Sequence, residues 1–411
     1  MQMKNQEEIF FPIILGSDEN AYGNARLFYE EYGIRPLLLC ERQLTATRYS
    51  HILTIEVIPD FSREEIFVRE LLSVLRREGK NDRKLLVIPC VDYYTDLLVR
   101  NYEKFEGRIA NHFISNELLE KVITKIGFAE LADRYGLDIP QTVVVEQDKW
   151  EKTLKELTFP FPVVAKPENA SSYAFKKARI ENKRKVNFLK NEEEFRYLFR
   201  TIEQSSYRGR FVIQEMIRGG DDAVRVANTY SDASGKVRLI ALGQPVLGEH
   251  LPMQIGNNAA IISRYDKDLM DKIKNFLEAI GYVGIANFDM QLDSHSGRLV
   301  FYELNPRPAR TSYFLRAAGC NLMKVLVDDV VYGKREECRY VSERALWSNV
   351  PLYVLKKHVK NPELLKEIRE LSRSGKYMQA RYCREDPDIR HFLVNARYDI
   401  GQIRVHRRFD N

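Results

Sequence analysis

The sequence has few of the features that mark membrane proteins, small secreted domains or zinc-binding domains. Its 411 residues contain no apolar run near the roughly 20 residues that a membrane-spanning helix needs, so we expect no such helix. The five cysteines are odd in number and far apart, without a CxxC or a Cys/His cluster, which predicts neither a zinc site nor a disulfide framework. No cationic segment precedes a long apolar stretch near the first residue, so we expect no signal peptide. Together these absences favour a reducing cytoplasm.

Two further properties limit the function classes. The 64 Lys and Arg residues against 58 Asp and Glu leave a net charge of +6, which suits an anionic substrate as well as a nucleic acid. The turn after the first apolar run reads GSDENAYG and lacks the GxGxxG pattern of a dinucleotide-binding site. We therefore interpret the first unit as one that supports the protein or holds a substrate.

Apolar runs alternate with helical patterns in the first part of the chain. The runs at residues 12–16, 37–40 and 85–90 read as buried strands, and residues 63–78 read as an amphipathic helix. This alternation predicts a parallel, doubly wound sheet. One helix is then expected around residues 116–136, and the later part of the chain reads as mixed α+β structure with several antiparallel strands.

The strongest chemical signal is an oxygen-rich cluster near residue 300. Asp289 and Glu303 lie on two predicted strands joined by the turn SHSG, and period two puts Asn305 on the same face as Glu303. Two carboxylates and an amide oxygen suit Mg²⁺ bound together with substrate phosphates. Arg307 and Arg310 follow, and a cation there would stabilise a transferring phosphoryl group. The alternative is a solvent-facing acidic hairpin with a surface salt bridge.

Two lysines and one strand add to this signal. Lys166 ends the apolar strand FPVVAKP and Lys125 lies on the preceding helix, so both could reach a phosphate, although each alone is typical of an exposed surface lysine. In VIQEMIRGGDD, the extended segment from Gln214 offers backbone groups to an adenine edge, and Asp221 could accept hydrogen bonds from ribose hydroxyls. The alternative for this segment is a core strand that ends in a glycine turn.

Taken in this order, these elements resemble the ATP-grasp superfamily over roughly residues 10–330. The resemblance implies an α/β and α+β fold in which two α+β subdomains close over MgATP behind a Rossmann-like domain. It implies four parts: a Rossmann-like domain (1–115), a lid or central subdomain (116–215), a C-terminal subdomain with the metal site (216–335) and a basic extension (336–411). The implied chemistry is ATP-dependent coupling of a carboxylate to an amine through an acylphosphate, with release of ADP and phosphate.

The chain also resembles the D-aspartate ligases and related carboxylate–amine ligases of peptidoglycan cross-bridge synthesis. In that family ATP phosphorylates the β-carboxylate of D-aspartate, and the lysine ε-amine of a UDP-linked muramyl pentapeptide attacks the acylphosphate. The segments that carry the resemblance are PIILGSDENAYGNARLFYEEYGI, KPENASSYAFKKARIENKRKV, FVIQEMIRGGDD, IGNNAAII, GYVGIANFDMQLD, YELNPRPARTSYFLRAAGCN, ALWSNVP and YDIGQIRVHRR.

The resemblance implies roles for individual residues. The residues implied to bind ATP are Lys125, Lys166, Ser171, Ser172, Lys176, Gln214, Glu215, Met216, Ile217 and Asp221. The residues implied to bind two Mg²⁺ ions are Asp289, Glu303 and Asn305. The resemblance implies that Arg307 acts on the reacting groups, and Arg310 lies just beyond it as a second catalytic candidate. Arg225, on the strand after the adenine segment, is the third candidate, where it either points toward the donor carboxylate or is a surface cation. Two departures from the family pattern concern the phosphates and the substrate: ENASSYAFKK has no glycine, and Ala309 stands where a glycine is expected.

Three other functions are compatible with parts of the sequence. A ligase of free amino acids would use the same residues, and a non-catalytic nucleotide-binding module would retain only part of them. The basic run at residues 176–190 could contact a nucleic acid, but it has few aromatic residues and no RNA-binding signature. We therefore interpret the run as a lid over phosphates, and expect small-molecule partners, no nucleic acid and no membrane span.

Overall fold

The computed structural model describes residues 6–168, 173–184, 186–249, 254 and 256–409. Within these residues the chain forms sixteen strands and fifteen helices. The strands are β1 (Phe10–Leu15), β2 (Leu37–Cys40), β3 (Thr54–Val57), β4 (Lys84–Pro89), β5 (Thr142–Val145), β6 (Val163–Pro167), β7 (Asn187–Leu189), β8 (Phe211–Glu215), β9 (Val224–Ser231), β10 (Val237–Gly248), β11 (Asn258–Arg264), β12 (Gly284–Leu292), β13 (Leu299–Asn305), β14 (Arg339–Tyr340), β15 (Leu346–Ser348) and β16 (Tyr377–Gln379).

The helices are α1 (Gln6–Ile9), α2 (Glu19–Tyr32), α3 (Glu64–Glu78), α4 (Asp92–Arg100), α5 (Asn116–Val122), α6 (Lys125–Arg134), α7 (Trp150–Lys155), α8 (Tyr173–Lys177), α9 (Glu192–Glu203), α10 (Lys267–Ala279), α11 (Phe314–Ala317), α12 (Leu322–Val330), α13 (Leu352–His358), α14 (Pro362–Arg373) and α15 (Ile389–Phe409). None of the helices in the described ranges has the length and apolar character required to cross a bilayer.

The chain divides into two compact units. Unit 1 comprises residues 1–116, 225–287 and 305–411, and unit 2 comprises residues 117–224 and 288–304. The four-part division expected from the sequence stays a prediction.

Unit 1 begins with the parallel sheet that the apolar runs predict. Its strand order is β3-β2-β1-β4, and the fully buried residues of β2 and most of β1 explain why their sequences are continuously apolar. Helix α2 follows β1 because Asp18 caps it by accepting a hydrogen bond from the Ala21 amide, and it ends where Gly33 adopts a φ of 68°. The edge strand β3 (TIEV) was not expected, because its polar, partly exposed residues do not form an apolar run.

A second sheet of unit 1 has the order β9-β10-β11-β15-β16, and the first residues of β12 lie beside β9. The predicted turn between β9 and β10 is confirmed: the Asp232 amide donates to the Lys236 carbonyl, and Gly235 has a φ of 76°. Residues 336–411 contribute β14, β15, β16 and the helices α13, α14 and α15 to this unit.

Unit 2 contains an antiparallel sheet of order β5-β8-β6-β7. Phe195 and Phe199 of α9 and Trp150 of α7 pack in its apolar core. The unit also includes the end of β12 and most of β13, whose connecting turn closes where the Gly297 amide donates to the Asp293 carbonyl. The predicted SHSG turn is therefore confirmed.

The single helix expected around residues 116–136 is wrong. The structure has two helices there, α5 and α6, because Thr124 caps a new helix by accepting a hydrogen bond from the Gly127 amide at 3.1 Å. The two helices approach closely at Gly127, where an added Cβ would lie 2.4 Å from the Lys121 carbonyl oxygen. The break makes Lys125 the first residue of α6.

We expect Asn321→Ala to destabilise unit 1 more than an ordinary capping mutation. Asn321 accepts from the Met323 and Lys324 amides at the start of α12, and its side chain also donates to the Leu27 carbonyl at 2.8 Å. Loss of the cap costs about 1 kcal/mol, and the buried carbonyl left without its donor adds about 1 kcal/mol. Asp266→Ala, which removes only the cap of α10, should shift the urea midpoint about half as far. Equal shifts would contradict a role for the bond to Leu27.

Candidate active site

Two lysines and an acidic side chain lie together in unit 2. Lys166, at the end of β6, donates to the Gln214 side-chain oxygen at 3.1 Å, and its Nζ lies 4.7 Å from the centre of the Tyr302 ring. Lys125 Nζ lies 4.0 Å from a Glu303 carboxylate oxygen. Lys166 is therefore held between a strand neighbour and an aromatic face, while Lys125 is held by an ion pair.

The electrostatics of this cluster explain an unusual lysine. Burial, followed by the nearby Lys125 ammonium, lowers the pKa of Lys166, while Glu303 and Asp289 act in the opposite direction, and the net pKa is about 8. Both predicted metal-ligating carboxylates are thus within electrostatic range of the same ammonium group. The structure therefore brings Lys125, Lys166, Asp289 and Glu303 together on unit 2, a set that can bind a polyphosphate with a divalent cation.

The strand expected to contact adenine, β8, is hydrogen-bonded to a neighbouring strand on each side. Residues of β8 pair with β5 and with β6, and the Gln214 side chain donates to the Thr142 hydroxyl at 3.1 Å besides accepting from Lys166. The Glu215 amide donates to the Gln141 carbonyl at 2.9 Å. Met216 is the first residue after the strand and is exposed. Contacts to an adenine edge are thus better placed at Met216 and beyond than at Gln214.

Segments that follow β8 are held within unit 2. The Gln291 side-chain amide donates to the Ile217 carbonyl at 3.3 Å, and Arg298 forms an ion pair with Glu215. Asp221 is exposed and begins a short helical turn, and its expected contact with a ribose hydroxyl stays a prediction. The Arg298–Glu215 pair could not be predicted from a local pattern, because its members lie 83 residues apart.

Asn305 and Arg307 form part of a polar network in unit 1. The Asn305 side-chain amide donates to the Asn287 side-chain oxygen at 3.4 Å, and Asn305 accepts from Arg307 at 3.4 Å. Arg307 also pairs with Asp92 and donates to the Pro308 carbonyl at 3.3 Å. Asp92 was missed from the sequence, although it begins α4 just after β4, at the carboxyl edge where parallel sheets bind ligands.

Arg310 lies among buried charges. Its guanidinium donates to Glu249 at 3.0 Å and to the Asn258 carbonyl at 3.2 Å, and the Glu249 side chain is fully buried. A second arginine, Arg381, pairs with Glu19. Burial raises the pKa of Glu19, but Arg381 and Arg310 outweigh it, so the net effect lowers that pKa. Glu249, Glu19 and Arg381 were all missed, since no local pattern joins them.

The carboxyl end of β1 lies against this segment. Asn20 donates to the carbonyls of Cys90 at 2.8 Å and Pro308 at 2.7 Å, which ties the strand ends to the chain after Arg307. Burial, followed by the charge of Glu19, raises the pKa of Asp18 to about 6. Asp18 therefore both caps α2 and can exchange a proton near neutral pH.

The remaining predicted site residues are placed as follows. Arg225 lies half-buried on β9 of unit 1, and Ala309 is buried. Lys176 lies in α8. Ser171 and Ser172 lie outside the described residues, so their expected phosphate contacts stay predictions.

Comparison with known proteins identifies the family. No family model matches the chain. Over 397 residues it is 32% identical to the D-aspartate ligase of Enterococcus faecium (strain Aus0004), covering 95% of this chain and 94% of that protein.

Solved structures of other enzymes share the fold. N5-carboxyaminoimidazole synthetase from Staphylococcus aureus, complexed with ADP, matches with a TM-score of 0.60 at 14% identity, over 88% of this chain and 87% of its own. The biotin carboxylase domain of Hydrogenobacter thermophilus 2-oxoglutarate carboxylase, complexed with MgADP, ADP and bicarbonate, matches with a TM-score of 0.58 at 14% identity, over 82% and 73%. The chain therefore has the ATP-grasp fold and belongs to the D-aspartate ligase family of ATP-dependent carboxylate–amine ligases.

Proposed function

We propose that the protein joins the β-carboxylate of D-aspartate to the lysine ε-amine of a UDP-linked muramyl pentapeptide in peptidoglycan synthesis. The observation that carries this proposal is the 32% identity to a D-aspartate ligase along 95% of the chain. In this reaction ATP would be cleaved to ADP and phosphate, and an isopeptide bond would form. ATP and a UDP-linked acceptor would both place the reaction in the cytoplasm.

The cluster on unit 2 would bind the nucleotide. Lys125 and Lys166 would contact the ATP phosphates, and the bound negative charge would keep Lys166 protonated despite its lowered pKa. The segment from Met216 to Asp221 would receive the adenine and ribose. Lys176, with Ser171 and Ser172, would take the place of a glycine-rich loop over the phosphates.

Asp289, Glu303 and Asn305 would hold the magnesium that accompanies ATP, with Glu303 shared between two ions. Their oxygens are the hard ligands that Mg²⁺ requires. The carboxylates of Asp289 and Glu303 both raise the pKa of the same ammonium group, that of Lys166. Bound magnesium supplies positive charge at the phosphate oxygens.

The arginines of unit 1 would act on the reacting groups. A carboxylate oxygen of D-aspartate would attack the γ-phosphorus of ATP, and the bond to the ADP oxygen would break. The uncharged amine would then attack the acyl carbon, phosphate would leave, and the amine would lose a proton. Arg307, oriented by Asp92, would stabilise the acylphosphate and the tetrahedral oxyanion. Arg310 and Arg225 would position the donor carboxylates.

The proposal is tested by measuring ADP release with Mg²⁺, a panel of D- and L-amino acids and the lysine-containing muramyl pentapeptide nucleotide. We expect turnover only with D-aspartate and the pentapeptide together, and a product whose mass equals the sum of both minus water. Turnover with another amino acid or with a free amino acid as acceptor would retain the ligase chemistry and overturn the substrate assignment. Failure to bind MgATP would contradict the proposed nucleotide site.

We expect nucleotide affinity to fall at alkaline pH because of Lys166. Its pKa is lowered to about 8, so the free enzyme loses this cation as the pH rises through 8. The dissociation constant of MgADP, measured by calorimetry without donor or acceptor, should rise up to about tenfold between pH 8 and pH 9. Lys166→Arg keeps its charge throughout this range and should show a flat profile. A wild-type profile as flat as that of the variant would contradict a phosphate-binding role for Lys166.

A further inference from the structure

The last helix, α15, has its polar side chains on the inner face and its apolar side chains on the outer face. Four polar residues of α15 are almost fully buried, and their four- and seven-residue spacings place them on one side of the helix: His391, Asn395, Gln402 and His406. An amphipathic surface helix normally buries its apolar side. The orientation of α15 is therefore the reverse of the usual one.

Hydrogen bonds explain why the polar side faces inward. The His391 ring lies 2.7 Å from the Arg48 carbonyl oxygen and 3.1 Å from the Tyr22 hydroxyl. The Asn395 side-chain amide donates to the Arg381 carbonyl at 3.1 Å. All these partners belong to unit 1. Specific polar contacts thus hold this side of the helix, and they are joined by packing of Ile403 against a core cluster and of the Phe392 ring beside that of Tyr382.

The outer face is an apolar stripe, which we define as Ile389, Phe392, Leu393 and Ile400. Their exposed fractions are 65%, 51%, 58% and 51%, and Ala396 lies half-buried between them. Single exposed apolar residues are common on protein surfaces, but a contiguous stripe on one helix marks a surface that contacts another apolar body.

Positive charge borders the apolar stripe. All five arginines of α15 are exposed: Arg390, Arg397, Arg404, Arg407 and Arg408. The single acidic residue of α15, Asp399, is half-buried and accepts a hydrogen bond from the Tyr382 hydroxyl at 2.8 Å. The neighbouring helix α13 adds the exposed Lys356 and Lys357. Because Arg390 pairs with Asp388, the other exposed arginines of α15 concentrate positive charge toward the second half of the helix.

This charge distribution distinguishes between two bodies that could contact the apolar stripe, a second copy of the chain and a lipid bilayer. A second copy of the chain, paired symmetrically about Ala396, would bring two Arg397 side chains together and add to the repulsion between molecules of net charge +6. A bilayer with anionic lipids would instead complement the arginines and receive the apolar side chains at the boundary between headgroups and acyl chains.

We propose that α15 is a docking face for an anionic phospholipid bilayer. The apolar stripe enters the interface, and Arg397, Arg404, Arg407 and Arg408 contact lipid phosphates. The helix lies in the plane of the surface and does not span the membrane. This surface goes beyond the proposed ligase function and does not depend on it.

The experiment is flotation of the full-length protein with vesicles of phosphatidylcholine alone or of equal parts phosphatidylcholine and phosphatidylglycerol. We expect binding to the anionic vesicles at 0.1 M NaCl and its loss at about 0.5 M, since salt screens exposed charges. Phe392→Ser combined with Leu393→Ser should weaken binding at least tenfold, and Arg397→Gln combined with Arg404→Gln should do the same. Tyr197→Ser, which changes an exposed aromatic residue on α9 of unit 2, is the matched control and should bind like wild type.

Three results would overturn the proposal. These are no binding to anionic vesicles, equal binding by the Phe392/Leu393 variant, or a concentration-dependent dimer in light scattering that this variant disperses without any lipid binding. ADP release by each variant checks its folding. Since that assay needs no lipid, failure of the docking proposal is distinguished from failure of the ligase proposal.

Discussion

Glu303→Gln is expected to reduce ADP release on the order of a thousandfold, because the magnesium that this carboxylate is proposed to hold would supply several kcal/mol of charge stabilisation. The Glu303 side chain is 43% exposed and glutamine has nearly the same shape, so the fold should tolerate the change. The variant also loses a negative charge that raises the pKa of Lys166, which should move that pKa below 8. Both effects weaken the same nucleotide site, and both are measurable as lower MgADP affinity at pH 8.

The matched control is Glu117→Gln on α5 of the same unit. Glu117 is exposed and forms a surface pair with Lys121 at 2.7 Å, an interaction of little energetic value. This variant should keep its activity within about twofold. If Glu303→Gln retained more than a tenth of wild-type turnover, the proposed metal role of Glu303 would be wrong. Circular dichroism of both variants separates this outcome from misfolding.

The sequence was sufficient for those parts of the fold that depend on local apolar patterns. The runs at β1, β2 and β4 are buried on both faces, so their composition alone indicated a parallel sheet. The sequence was not sufficient for those parts of the fold where tertiary contacts override the local pattern. The edge strand β3 carries polar residues, and the break between α5 and α6 depends on a close backbone approach at Gly127.

The candidate site also contains some residues that local sequence patterns predict and others that only tertiary contacts bring together. Lys166, Asp289 and Glu303 were singled out because a strand end and a hairpin place them at recognisable positions, and Lys125 because it lies on the helix before that strand. Other charged partners come from distant parts of the chain: Asp92 lies 215 residues from Arg307, and Arg381 lies 362 residues from Glu19. No periodicity links such pairs.

The C-terminal helix shows a further limit of pattern-based interpretation. The apolar spacing of Ile389, Phe392, Leu393 and Ile400 is what a core-facing helix would show, since apolar residues usually point inward. In the structure these side chains are exposed. The rule fails because buried acceptors, such as the Arg381 carbonyl, are available to the polar side of α15.

Arg307→Lys should lower kcat on the order of a hundredfold or more while changing the MgADP affinity little. The guanidinium pairs with Asp92 through Nε and donates to Asn305 and Pro308 through its two terminal nitrogens. Lysine retains the charge but cannot make three divergent contacts from one planar group, so its ammonium would not be held where the oxyanion forms.

Arg264→Lys is the control for this substitution. Arg264 makes a two-bond contact with Glu367, at 2.6 and 2.8 Å, and lies on β11 of the same unit. Its loss should lower the urea midpoint and leave kcat within about twofold, because a structural ion pair contributes to stability rather than to the reaction. If Arg307→Lys behaved in the same way, with a lower midpoint and unchanged kcat, Arg307 would be a structural partner of Asp92. The oxyanion would then have to be stabilised by another cation of unit 1, for which Arg310 is the next residue to replace, since its guanidinium already binds the buried Glu249 beside the same segment.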